Sequence, residues 1–129
     1  MSMELTLLGW SAVLLTVHIV VQAALTVPIK GLSWAAGPRD GGPATPGRYA
    51  GRAQRALENF KETYPAFIAL ALGLVVAGKA GGMGATGAEI WFVSRVLYLP
   101  IYLLGVPWLR TLVYGAAGAG LVLMLVQLL

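Results

Sequence analysis

The stretch "RAQRALENFKETYPAFIALALGLVVAG", residues 52–78, changes character half-way along. Arg52, Arg55, Glu58, Asn59, Lys61 and Glu62 crowd its first part, and from Tyr64 to Gly78 it carries no charge. On a helix of about 100° per residue, Arg48, Arg52, Arg55, Asn59 and Glu62 fall within an arc of roughly 80°. Ala66, Ala69, Gly73 and Ala77 continue the same face, a small-residue stripe of the kind that lets membrane helices pack closely. Lys61 points the opposite way and is free to snorkel. This face is therefore expected to look inward, toward protein, with an arginine, amide and carboxylate array at one end. The plainer alternative is a solvated helix end with charges paired at i,i+3 and i,i+4.

The rest of the chain says what surrounds such a helix. Its 129 residues are 58% hydrophobic and only 11% charged, against roughly 25% charged in a soluble domain. Mean hydropathy is +0.79. A water-soluble domain this small could not hide so much apolar surface, so lipid is the expected partner of the apolar faces. One domain is expected. The net charge of +4 is spread among apolar segments and forms no basic patch, so no nucleic-acid partner is expected. The absence of cysteine removes disulfides and thiolate ligands. A lone His18 builds no metal site, so no metal is expected, and any thiol chemistry needs a thiol brought by a ligand. The N-terminus has no basic n-region and its apolar run is too long for a signal sequence, so it reads as a retained membrane helix.

Four spans are predicted, over about 5–29, 55–78, 88–105 and 107–129, given the roughly 20 residues a helix needs to cross the hydrocarbon. The fold class is an all-α membrane protein, a four-transmembrane-helix bundle forming one domain over 1–129. A long irregular loop, rich in Gly and Pro, is expected over about 30–48. "GKAGGMGATG" (78–87) reads as a flexible turn, and "GVP" (105–107) is short enough to force a tight antiparallel hairpin. Most Lys and Arg residues lie between Lys30 and Lys61, and Arg110 falls on the same side, while Lys79 marks the other. The first and third connections are thus expected to be cytoplasmic, with both termini on the non-cytoplasmic side.

The third span carries Arg95, Tyr98 and Tyr102 on one face. An arginine inside a span faces a bundle interior or a cavity and has a partner; Glu62 is the expected one. The tyrosines could alternatively be interfacial anchors. Pro100 between them is expected to kink the helix. Arg110 opens the fourth span, where alone it would read as a positive-inside anchor. Together these cations, phenols, an amide and a carboxylate suit a small anionic ligand that also carries an ammonium group. His18 and Gln22 are expected to hydrogen-bond between helices, "YGAAGAG" (114–120) to mark close helix packing, and the four Trp residues to form interfacial belts.

The spacing Arg55-Ala56, Asn59, Glu62, Pro65, followed by Arg95, Tyr98, Tyr102 and Arg110, resembles the membrane-associated proteins in eicosanoid and glutathione metabolism. These are the microsomal glutathione transferases and leukotriene C4 synthase, and the likeness covers nearly the whole chain. The resemblance implies a homotrimer in the membrane, a bacterial inner membrane for a small member such as this, and glutathione as co-substrate bound between subunits at the cytoplasmic side. By position, Arg52, Arg55, Asn59, Glu62, Arg95, Tyr98 and Tyr102 would hold glutathione, Glu62 meeting its amino group and the arginines its carboxylates. Arg110 would be catalytic, holding the sulfur as thiolate, since a cation beside a thiol lowers its pKa. The implied activity is thiol transfer to a lipophilic electrophile, or lipid-hydroperoxide reduction. Leu57 stands where family members often have His or Gln, and Thr63 where some have an aromatic. Two alternatives remain at this point: a proton-coupled exporter of lipophilic compounds using Glu62, against which its neighbouring arginines argue, and a non-catalytic member of the same fold.

Overall fold

A computed structural model describes residues 1–31, 37 and 47–129, with the side chains of residues 29 and 30 excepted. Most of the expected loop over about 30–48, Arg39 and Trp34 included, lies outside the described residues. Among the described residues the chain forms four long helices: α1 Met3–Lys30, α2 Arg48–Val76, α3 Gly82–Leu104 and α4 Pro107–Leu128. It is an all-α membrane bundle, and α1, α3 and α4 are each long and apolar enough to cross a bilayer. The 29 residues of α2 make a helix of roughly 43 Å, longer than the roughly 30 Å hydrocarbon core. The uncharged part of α2, residues 63–76, covers only about 21 Å, so a crossing by this helix takes in part of its charged half.

Local chemistry sets the helix ends. Ser2 caps α1, its Oγ accepting from the Leu5 N–H at 3.2 Å, which satisfies one of the free donors of the first turn. Gly105 ends α3 in the left-handed conformation (φ 74°), its N–H bonding to the carbonyls of Ile101 and Tyr102. Pro107 then starts α4, where a missing N–H costs nothing. The α3–α4 link is therefore as short as "GVP" implies. α3 stays helical across Pro100.

The core is aromatic. Phe67 stacks on Trp91 with ring centroids 3.8 Å apart, and Phe60 sits between His18 (4.9 Å) and Tyr64 (4.8 Å). The Tyr64 hydroxyl and Ser11 Oγ are hydrogen-bonded at 2.8 Å. Trp91, expected in an interfacial belt, is instead fully buried; Trp10 and Trp108 are exposed. The reason is that α3 begins at Gly82, inside the segment read as a turn, so Trp91 lies almost mid-helix. α3 and α4 meet through glycine. A Cβ at Gly120 would lie 2.5 Å from the Gly87 carbonyl oxygen and 2.8 Å from the Trp91 nitrogen. Gly115 and Gly118, in the same "YGAAGAG" run, meet nothing.

Two other expectations are corrected. Neither His18 nor Gln22 hydrogen-bonds to another helix among the described residues: Gln22 Nε2 donates to Thr26 Oγ1 at 3.0 Å, one turn along α1, and both ring nitrogens of His18 are without a partner. His18 is buried against the Phe60 ring. The array face of α2 is not turned into the bundle either. Its buried face is built from Ala53, Ala56, Phe60, Tyr64, Phe67, Ala71 and Leu74, centred about 120° from the array on helical geometry. Arg55, Glu62, Ala66, Ala69 and Ala77 are exposed in the single chain. The bulky aromatics take the interior, and the small stripe borders an open flank.

The two ends of the bundle differ. At one, the fully buried Glu4 accepts from the Gly81 N–H at 2.8 Å, Lys79 Nζ donates to the Leu128 carbonyl and Gln127 Nε2 to that of Lys79. This end is closed. The other, where α2 begins and α3 turns into α4, holds Arg52, Arg55, Tyr102 and Arg110.

Candidate functional site

A cleft of about 350 Å³ opens on the flank between α2, α3 and α4, within the size range of small-molecule sites. α2 lines it with Arg55, Glu58, Asn59 and Glu62, α3 with Tyr98 and Tyr102, and α4 with Arg110, Thr111 and Tyr114. The positions follow from helical spacing. Arg55, Asn59 and Glu62 succeed one another by four and three residues along the flank of α2, and Tyr98 and Tyr102 face them from one turn of α3.

Two cations, Arg55 and Arg110, and two carboxylates, Glu58 and Glu62, therefore share one cleft with an amide and three phenols. The Arg110 guanidinium lies 4.9 Å from the centre of the Tyr102 ring, a contact that orients it without neutralising it. The Tyr98 ring centroid is 5.5 Å from that of Tyr102 and 6.3 Å from that of Tyr114. Such a site can take a ligand with both anionic and ammonium groups, since it offers fixed partners of each sign.

Of the residues singled out in the sequence, Arg55, Asn59, Glu62, Tyr98, Tyr102 and Arg110 come together here, and Arg52 and Arg95 do not line the cleft. Arg52 Nη1 donates to the Leu103 carbonyl at 2.9 Å, and its guanidinium lies over Gly105, where a Cβ would come within 2.7 Å of Cζ. It holds the last turn of α3 by satisfying a free carbonyl with a cation. Arg95 is fully buried. Its partner is not Glu62: Nη1 donates to Asn59 Oδ1 at 2.9 Å, and the guanidinium packs against the rings of Tyr98 (4.3 Å) and Phe60 (5.2 Å). Glu62 lies further round α2, on the exposed flank.

Glu58, Thr111 and Tyr114 also line the cleft. Tyr114 could have been found, being one turn after Arg110 on the same face of α4. Glu58 falls just outside the arc of the array and carries no separate signal.

A model of the MAPEG family matches residues 6–129, essentially the whole chain. The chain belongs to the MAPEG family. No curated protein and no solved structure matches it. Membership of this family, which includes glutathione-dependent transferases and peroxidases, agrees with the all-α membrane bundle described above, three of whose helices are long and apolar enough to cross a bilayer.

Proposed function

We propose that this MAPEG protein binds glutathione in the α2–α3–α4 cleft and uses its thiolate on a lipophilic partner, by conjugation to an electrophile or by reduction of a lipid hydroperoxide. The observation that carries the reading is the charge pattern of the cleft. Glutathione presents two carboxylates, one ammonium and one thiol. Arg55 and Arg110 offer the cations, and Glu58 and Glu62 the anions, along one open wall. Glu62 meets the ammonium group, Arg55 a carboxylate, and Asn59, Tyr98 and Tyr102 the peptide groups. Arg110 stands beside the sulfur, where its charge favours thiolate. In conjugation the thiol proton passes to water and the thiolate forms a carbon–sulfur bond; the bond it displaces breaks with its electron pair on the departing anion or, at an epoxide, on the oxygen, which then takes a proton from water.

The exposed Ala66, Ala69 and Ala77 continue the same flank of α2 away from the cleft, which suits a homotrimer in which a neighbouring subunit packs along α2, closes the site and leaves a lateral path from the bilayer. The site end lies at the cytoplasmic face in this reading, with both termini opposite and the chain in a bacterial inner membrane. Purified protein should conjugate glutathione to a generic aromatic electrophile, and Glu62→Gln should raise KM for glutathione by about 5- to 50-fold, as expected for a lost charge-assisted hydrogen bond. Absence of turnover together with absence of any glutathione-dependent thermal shift would sink the proposal.

A further inference from the structure

Deeper in the bundle lies a second, smaller cavity of about 60 Å³, which shares Tyr114 with the cleft above it. Thr63 of α2, Trp91 and Arg95 of α3, and the apolar Ala117 and Leu121 of α4 line it. Trp91 and Arg95 are each 0% exposed. Four buried polar atoms of this wall have no hydrogen-bond partner among the described residues: Thr63 Oγ1, Trp91 Nε1, and Nε and Nη2 of Arg95. Only Nη1 of the guanidinium is engaged, and by a neutral amide.

The chemistry of this wall is one-sided. Indole N–H and guanidinium N–H groups donate and never accept, and the hydroxyl of Thr63 can do either. Buried polar groups in folded proteins are almost always paired. A buried arginine at membrane depth without an anion is costlier still. Asn59 and the faces of Phe60 and Tyr98 supply partial negative charge to Arg95 but no counter-ion. A volume of about 60 Å³ holds one or two water-sized groups, water taking roughly 30 Å³.

We propose that this cavity is a second binding site, separate from the cleft, that takes one small monovalent anionic group on the N–H donors of Arg95 and Trp91 and the hydroxyl of Thr63. The group is either a free halide or the carboxylate end of an amphiphile whose chain runs along the apolar residues of α4. The inference stands on the cavity alone and needs no thiol.

Trp91 is itself the reporter. In a full-length variant with Trp10, Trp34 and Trp108 changed to Phe, purified in detergent without halide, Trp91 emission is followed against bromide, laurate and methyl laurate. Saturable quenching by bromide that disappears in Arg95→Met assigns a free-anion site. A saturable response to laurate but not to methyl laurate, again lost in Arg95→Met, assigns an amphiphile carboxylate. If Arg95→Met does not fold, Thr63→Val serves, and should weaken binding by about 3- to 10-fold for one lost hydrogen bond. No saturable response in the folded single-tryptophan protein overturns the proposal. So does an equal response to laurate and its ester, or affinity unchanged by Thr63→Val or Arg95→Met.

Discussion

Gly120→Val should be among the most damaging single substitutions in the bundle. A Cβ at this position meets the Gly87 carbonyl oxygen at 2.5 Å and the nitrogen and Cα of Trp91 at 2.8 and 3.3 Å. All three are backbone atoms, so no side-chain rotation relieves the clash, and α3 and α4 must separate. Separation would in turn loosen Trp91 and Met124, both fully buried. Overpacking of a closed core costs typically 1–3 kcal/mol, and a backbone clash of this kind should cost about 3 kcal/mol or more. The expected result is a large fall in thermal unfolding midpoint in detergent, or no folded protein at all. Gly115→Ala is the control, because its Cβ meets nothing within 4 Å, and it should stay within about 0.5 kcal/mol of the parent. Equal effects at the two positions would mean that α3 and α4 do not cross at Gly87 and Gly120.

Arg110→Ala should have the largest effect on chemistry. A free thiol of pKa about 8.5 is only a few per cent ionised at pH 7, whereas a neighbouring cation can bring it below 7. The parent rate should therefore rise with pH through the lowered thiol pKa and level off near neutrality. In Arg110→Ala the same rise should move up toward the free value. Below the free value the parent should be faster by about 10- to 30-fold, and the two should converge at alkaline pH. Arg110→Lys should restore part of the neutral-pH rate, since it keeps the charge but loses the planar group that packs 4.9 Å from Tyr102. A loss equal at every pH would assign Arg110 to binding rather than to the thiolate. Arg110 is only partly buried and sits near the start of α4, so folding should be unaffected.

The membrane bundle and most of the cleft were legible in the sequence, because apolar length and helical spacing survive without a structure. What spacing could not supply was absolute direction. It placed Arg52, Arg55, Asn59 and Glu62 on one face of α2 but had that face turned inward. In a bilayer, polarity no longer marks the outside, and the interior of α2 went to Phe60, Tyr64 and Phe67. The same uncertainty of angle paired Arg95 with Glu62 when Asn59, one turn nearer the start of α2, is the group that reaches it. Glycine misled in a second way. "GMGATG" has the composition of a turn in water, where Gly disfavours helix, yet it is the first part of α3, and Gly87 within it is the contact for Gly120. Starting α3 late put Trp91 near an interface and hid both the aromatic core and the small cavity beside Arg95. Tyr114 was within reach of the spacing argument from Arg110, and its place in both cavities emerges only from the packing of α4 on α3.

Whether the cleft turns glutathione into its thiolate can be read from ultraviolet difference absorbance of the parent protein titrated with glutathione at neutral pH. A saturable thiolate signal should develop and approach one per occupied site, suppressed by S-methylglutathione, which competes for the cleft but has no ionisable sulfur. A titration in which glutathione binds, by calorimetry, and no thiolate signal develops would contradict it.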